Sequence, residues 1–118
     1  MIPFLLAAAI LGVDWKPGDI AHVYVPSPIK GRVGSPATVN MAAYLDMVDA
    51  TNAGDTDGLM ELDRAGLIVW IPDKTVVLVL KVHPEIDGPA IEARVRSDGK
   101  YKSQRLWFIE ETLRPPEN

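Results

Sequence analysis

The sequence predicts an α+β fold in which a two-helix segment precedes a run of strands. Between residues 38 and 66 the apolar residues recur at helical spacing, whereas after Leu67 they form β-branched runs or alternate with charged residues. The chain has 118 residues, of which 47 % are hydrophobic and 24 % charged, as is typical of one globular domain.

The first thirteen residues, MIPFLLAAAILGV, form an apolar segment without charged side chains. It is shorter than the roughly 20 residues that span a bilayer, so no stable membrane span is predicted. One interpretation is a signal peptide cleaved near Ala9 or Gly12, which implies export. The other is a retained strand or helix packed on the core of a cytoplasmic protein, because no Lys or Arg precedes the apolar run.

Residues 14–36 are rich in proline and glycine. The sequence Lys16-Pro17-Gly18-Asp19 is typical of a turn, and the apolar residues from Ile20 to Val25 predict a strand. From Pro26 to Pro36 the prolines and glycines predict an extended surface loop. We interpret Gly31 to Gly34 as a turn in that loop, because a phosphate-binding loop requires a strand before it and a helix directly after it.

Two short helices are predicted next. The first is capped by Thr38 or Asn40 and ends near Gly54, since a side-chain oxygen accepts hydrogen bonds from the free amides at a helix start. Asp55, Thr56 or Asp57 caps the second, which ends at Gly66. The residues expected to face the core are Met41, Tyr44, Leu45 and Val48 in the first helix and Leu59, Leu62 and Ala65 in the second.

Four strands are predicted after the helices. They are Leu67–Ile71, the β-branched Thr75–Val82, the alternating Ala90–Arg96, and Gln104–Glu110. Asp98 and Gly99 predict a two-residue hairpin turn between the last two strands, because both positions of such a turn need positive φ.

That turn sets an expected register for the last hairpin. Ile91 is expected to face Leu106, and Glu92 is expected to face Arg105 as a cross-strand ion pair. Phe108 then lies in the core, and Trp107 lies on the outer face. A slip of one residue would exchange the two faces.

The stretch GKYKSQRLWFIEETLRP, together with the strand order before it, resembles the end of a bacterial SH3-like barrel. The resemblance covers residues 67–115 and implies a small barrel of about five strands, so residues 14–118 are expected to form one SH3-like domain with a helical insert at 38–66. Within it, residues 106–109 would form the fourth strand, residues 110–112 a 3₁₀ turn, and Leu113 would close the barrel.

The chain departs from the peptide-binding members of that family. Ile109 and Thr112 stand where those members carry proline and tyrosine, and residues 90–96 lack their ligand-facing tryptophan. The resemblance therefore implies the fold and not the recognition of proline-rich peptides.

Composition and spacing argue against an enzyme. The chain has no cysteine, which excludes thiol catalysis and cysteine-bound zinc. Its two histidines, His22 and His83, are interpreted as ordinary polar residues, because no spacing joins them to a carboxylate such as Glu85 or Asp87. No catalytic residue, cofactor or metal site is predicted.

The strongest candidate for binding is the surface of the last hairpin. Five of the twelve basic residues fall there, beside two aromatic residues. The predicted site consists of Arg94, Arg96, Lys100, Tyr101, Lys102, Arg105 and Trp107. The leading hypothesis is a non-enzymatic module that binds a protein or polymer through this face. The alternative is a nucleic-acid-binding barrel that stacks bases on Trp107, although the net charge of −4 argues against that class. A third interpretation is a solvated face with Trp107 covered by the N-terminal segment or the helices.

Overall fold

The computed structural model describes residues 14–25, 34–86 and 89–116, which form an α+β fold of two helices and one curled antiparallel sheet. The predicted signal peptide and the loop residues 26–33 lie outside the described residues. The helices are α1 (Met41–Ala53) and α2 (Thr56–Arg64). The strands are β1 (Ile20–Val23), β2 (Ser35–Thr38), β3 (Ile68–Ile71), β4 (Val76–His83), β5 (Ala90–Val95), β6 (Arg105–Ile109) and β7 (Leu113–Arg114).

The sheet has the strand order β3-β2-β6-β5-β4-β1-β7. Strands β4, β5 and β6 form a meander, and the predicted 3₁₀ turn at Glu110–Thr112 leads from β6 into β7, which returns to pair with β1. The sequence predicted about five strands, whereas the described residues form seven. The difference arises at the helical segment, since β2 and β3 flank it and extend the sheet beyond β6.

Two clusters of buried side chains lie on opposite faces of the sheet. The first fills the inner face, where Phe108 and Val77 are fully buried and Leu113 is almost fully buried. The second lies on the outer face beneath the helices. Its buried members are Tyr44, Met47, Ile68, Ala90 and Trp107.

A bulge in β4 decides which face its last residues occupy. The pairing with β5 shifts between Val79 and Lys81, so that Val79 pairs with Ala93 and Lys81 with Glu92. Val77 and Val79 are in the inner cluster, and after the extra residue Val82 packs against that cluster as well. Because side chains alternate along a strand, the bulge places His83 on the outer face, where an unbroken strand would have turned it inward.

Both helix starts agree with the sequence. Asn40 caps α1 by accepting a hydrogen bond from the amide of Ala43 at 2.8 Å, and Asp55 caps α2 by accepting from the amide of Gly58 at 2.9 Å. The alternative cap Thr38 belongs to β2 instead.

The buried face of α1 is rotated from the predicted one. Tyr44 is buried as expected, but Met41 and Leu45 are exposed, and the other buried residues are Ala43, Met47 and Ala50. Helical spacing alone allows neighbouring stripes. Tyr44 and Met47 fill the space beside Trp107, and Val48, which was also predicted to face the core, packs against the same cluster. In α2, Leu59 and Leu62 pack against the outer cluster, whereas Ala65 is exposed.

The predicted loop before α1 is partly a strand. Ser35 and Pro36 begin β2, which pairs with β3 on one side and β6 on the other. The short apolar run of β3 therefore lies at the sheet edge beside β2. The strand that pairs with β4 opposite β5 is β1, from the N-terminal part of the chain.

The last hairpin has the predicted faces but a different register. Ile91 pairs with Phe108 and Ala93 with Leu106, two residues away from the expected pairing. The predicted two-residue turn is wrong, because the connection is a longer loop in which the Ser103 amide donates to the Val95 carbonyl at 2.8 Å. Within this loop Gly99 has φ 136° and Ser103 has φ 71°. These two residues with positive φ are not adjacent, whereas the predicted turn required positive φ at the adjacent Asp98 and Gly99. A shift of two residues preserves side-chain alternation, which is why Phe108 still faces inward.

Substitution of Glu110 by glutamine is expected to stabilise the protein at neutral pH. Burial, and then the charge of Glu111, raise the pKa of Glu110 above its ordinary value. A raised pKa means that the fold favours the protonated acid, so this contribution to stability is present below the unfolded pKa and is lost as pH rises through the folded value. Urea unfolding of Glu110→Gln should show a gain at pH 7 that disappears by about pH 3, where wild-type Glu110 is neutral in both states. A gain of equal size at both pH values would contradict this assignment, and Glu61→Gln on the exposed side of α2 is the control.

Candidate binding surface

The predicted site residues divide into three groups in the structure. Arg94 and Arg105 lie directly opposite each other on β5 and β6 and are exposed. Arg96, Lys100 and Lys102 are exposed on the loop between these strands, where the Lys102 ammonium donates to Asp98 at 2.8 Å. The two aromatic residues of the predicted site are not free on this surface.

Tyr101 packs against the inner cluster, with the Lys100 ammonium 5.4 Å from its ring centre. Trp107 lies on the outer face, as the alternation predicts, but only 8 % of it is exposed. Tyr44 and Met47 of α1 cover it together with Ile68. Of the interpretations drawn from the sequence, the one in which the helices cover Trp107 therefore matches the position of this residue.

The ring of His83 stacks on Trp107 with 4.4 Å between the ring centres. His83 is itself buried, and each of its nitrogens meets a carboxylate: Nδ1 lies 3.2 Å from Glu85 Oε2, and Nε2 lies 2.9 Å from Glu92 Oε1. An ionised carboxylate only accepts hydrogen bonds, so both contacts are hydrogen bonds when both ring nitrogens carry protons.

The carboxylate of Glu92 links this buried pair to the surface. Its second oxygen lies 3.4 Å from Arg105 Nε, so Glu92 contacts His83 on one side and Arg105 on the other. The expected ion pair between Glu92 and Arg105 is thus present, although it runs diagonally because Trp107 is the direct cross-strand partner of Glu92. At the outer end of the network, a backbone hydrogen bond and then the contact with His83 lower the pKa of Glu85. The contacts of His83 with the carboxylates hold its ring against Trp107, so the buried part of the network supports the packing of this tryptophan.

The part of the outer face that the helices leave uncovered carries a row of four side chains across four strands. Ile20 on β1 pairs with Leu78 on β4, Leu78 pairs with Arg94 on β5, and Arg94 pairs with Arg105 on β6. In each strand the residue next to the one in this row belongs to the inner cluster. Because successive side chains of a strand point to opposite faces, all four residues lie on the outer face. We call these residues the apolar–basic row. Ile20 is 38 % exposed, Leu78 is half-buried, and both arginines are exposed.

The two arginines of this row are like charges in direct cross-strand positions, which is an unfavourable arrangement in an isolated sheet. Glu92 offsets the charge of Arg105, as described above. The Arg94 guanidinium donates a hydrogen bond to the Ser103 carbonyl oxygen at 3.4 Å. A carboxylate from a bound molecule would reduce this repulsion.

Sequence reasoning found the arginines and missed the apolar half of the row. Ile20 and Leu78 lie in predicted strands, but nothing local to either segment indicates that they share a row with Arg94. Their pairing joins parts of the chain that are far apart in sequence, and the bulge in β4 comes just after Leu78.

A groove with a volume of about 470 Å³ lies between the helices. Its rim is acidic, with Asp46 and Asp49 from α1 and Asp55 and Glu61 around α2. Within the described ranges, no group of three or more His, Asp or Glu side chains is placed to hold a metal ion. Neither α1 nor α2 has the length and apolar character needed to cross a bilayer.

Comparison with known proteins gives no relative: no family model matches the chain, and no curated protein or solved structure matches it.

Proposed function

We propose that this protein is a non-enzymatic, SH3-like interaction module that binds a protein partner through the apolar–basic row. The observation that carries the proposal is the direct opposition of Arg94 and Arg105 beside the exposed Ile20 and the half-buried Leu78, on a part of the sheet that neither helix covers. A partner segment that presents carboxylates next to apolar side chains would contact both halves of this row. It would offset the repulsion of the arginines and remove Ile20 and Leu78 from water.

The order of the strands supports the SH3-like part of the proposal. The meander β4–β5–β6 is followed by a single 3₁₀ turn and a short last strand whose Leu113 is buried, which is the order expected from the resemblance. The resemblance took the apolar run Leu67–Ile71 as the first strand, but β3 lies at the sheet edge and pairs with β2 rather than with β4. In this proposal the first barrel strand is instead β1, since it pairs with both β4 and β7. The segment from β2 to β3, including both helices, is then an insertion between the first and second barrel strands.

A protein partner is favoured over a nucleic acid by the position of Trp107. Base stacking needs an exposed aromatic face, whereas Trp107 is covered by α1 on the outer side of the sheet. The hairpin is basic, but its aromatic residues pack against the two clusters.

Substitution of Arg94 by glutamate is expected to weaken binding of an acidic amphipathic peptide by about tenfold or more, since it places a like charge against the carboxylates of the peptide. The probe is a labelled synthetic peptide of leucine and glutamate, and the control peptide has lysine in place of glutamate. Fluorescence anisotropy at low salt measures the affinity. Lys74→Glu makes the same charge change at an exposed position between β3 and β4 and should bind the acidic peptide like wild type.

Equal loss of binding in both variants would mean that only net charge matters and would overturn the assignment of the site. Absence of peptide binding by the wild type would overturn the proposed function. Retention of a single-stranded oligonucleotide pool at low salt, with steep loss as salt rises and no peptide binding, would favour the nucleic-acid alternative.

A further inference from the structure

We propose that the segment bound by the apolar–basic row is the exposed face of α1 in a second copy of this chain, so that the protein associates head to tail. This inference rests on the proposed function and names its partner. Four observations support it: the surface of α1, the matching order of its side chains, their spacing, and the charge distribution of the chain.

The exposed side of α1 has the chemistry that the row requires. Met41, Leu45 and Asp49 are four residues apart and therefore lie along one stripe of the helix, with Asp46 beside them. All four are exposed within the described residues, and Met41 and Leu45 are among the most exposed large apolar side chains there. The opposite side of the same helix is already buried on its own sheet.

The stripe and the row present their side chains in the same order and over the same length. Each begins with two apolar side chains and ends with charged ones, carboxylates in α1 and guanidinium groups in the row. Eight residues of helix rise separate Met41 from Asp49, or about 12 Å at 1.5 Å per residue. Three strand spacings separate Ile20 from Arg105, or about 14 Å at 4.8 Å per strand. A helix lying across the strands can therefore place Met41 and Leu45 on Ile20 and Leu78, and Asp46 and Asp49 near the arginines.

The charges of the chain are separated in a way that favours this contact. Residues 41–64 contain six acidic residues and one arginine, a net charge of −5. Residues 94–105 contain five basic residues and Asp98, a net charge of +4. When the acidic region of one copy faces the basic region of another, the two regions attract each other, although each copy carries a net charge of −4.

The two contacting surfaces are different parts of the chain, and in the head-to-tail arrangement each copy uses its row on one neighbour and its helix face on another, so the interface is heterologous. After two copies pair, one of them keeps a free helix face and the other keeps a free row, and association continues unless the chain of copies closes into a ring. A twofold dimer, in contrast, would stop at two copies, because the row of each copy would bind the helix face of the other.

Sedimentation velocity of the full chain over a range of concentrations tests this arrangement. At low salt the wild type is expected to form species larger than a dimer as concentration rises, and to return to a monomer at about 0.5 M salt, where the Debye length is only a few ångströms. Arg94→Glu damages the row, and Asp46→Asn with Asp49→Asn damages the helix face. Each variant alone should remain monomeric at concentrations where the wild type associates, and Lys74→Glu should associate like wild type.

Mixing the two damaged variants gives the sharpest result. The Arg94→Glu protein keeps its acidic helix face, and the Asp46→Asn/Asp49→Asn protein keeps its row, so one interface and no more can form. The expected product is a 1:1 dimer that does not grow further. Circular dichroism checks that each variant is folded, as expected for substitutions at exposed positions.

Three outcomes would overturn the inference. The first is a wild type that stays monomeric at all concentrations, and the second is a wild type that stops at a dimer. The third is a mixture in which the two variants do not combine. The acidic peptide assay separates these failures from failure of the proposed function, because peptide binding that persists in a monomeric protein leaves the row as a binding surface for another partner.

Discussion

Replacement of Phe108 by alanine is expected to lower the free energy of unfolding by about 3–5 kcal/mol, which is the usual cost of removing a buried aromatic ring. Phe108 is fully buried in the inner cluster, where β6 pairs it with Ile91 of β5 and Ala37 of β2. Its neighbours come from separate strands of the sheet, so the cavity cannot close by a local movement of one segment. Equilibrium unfolding in urea measures the effect.

The structure also changes the expected cost of removing the neighbouring side chain, that of Trp107. From the sequence alone, Trp107 on the outer face would be less costly to remove than Phe108. Because α1 covers Trp107 and His83 stacks on it, Trp107→Ala should cost a similar amount, about 3–5 kcal/mol. Leu45→Ala, at an exposed position of α1, is the control and should cost less than about 1 kcal/mol. A Trp107→Ala variant as stable as the control would contradict the packing of α1 over the sheet.

Substitution of Gly34 by alanine is expected to be strongly destabilising. Gly34 has φ +126°, and a Cβ atom there would lie 2.6 Å from the carbonyl oxygen of Ile71 in β3. That oxygen belongs to a paired strand, so relief would require β2 and β3 to separate. The expected cost is the backbone strain of about 1–3 kcal/mol and a further steric cost of about 1–3 kcal/mol.

Gly99→Ala provides the matched control for this prediction. Gly99 has φ +136°, but a Cβ there would meet no atom within 4 Å, so its substitution causes the backbone strain without the clash. Urea unfolding of both variants isolates the steric contribution as the difference between them. Equal costs would mean that Gly34 does not approach Ile71 as closely as the structure indicates. Neither cost is visible in the sequence, where Gly34 looks like one more residue of a loop.

The buried side of α1 is held on the sheet by packing and by a side-chain hydrogen bond. Within one copy, α1 packs on the sheet through Tyr44 and Met47, and the Tyr44 hydroxyl donates to the Pro89 carbonyl at 3.3 Å. Burial, with a smaller effect of Glu110 and Glu111, raises the pKa of Tyr44 to about 12, so it remains a neutral donor at physiological pH. The helix thus presents its apolar side inward and its acidic side outward.

Local features of the structure could be predicted from the sequence because they depend on residues close together in the chain. The caps at Asn40 and Asp55 and the 3₁₀ turn before Leu113 each rest on contacts within a few residues. Alternation along β5 and β6 likewise separated Phe108 from Trp107 correctly.

Tertiary structure decided what depends on pairing between distant segments. Alternation is unchanged by a shift of two residues, so the sequence could not choose the register of the last hairpin, and a bulge of one residue turned His83 from the inner to the outer face. The same holds for the proposed binding surface. The sequence by itself determined that Arg94 and Arg105 lie on one face. The pairing of β1 with β4 placed Ile20 and Leu78 beside them, and the packing of α1 covered Trp107. The physical reason is that these positions are fixed by hydrogen bonds and packing between strands far apart in the chain, and no local propensity encodes them.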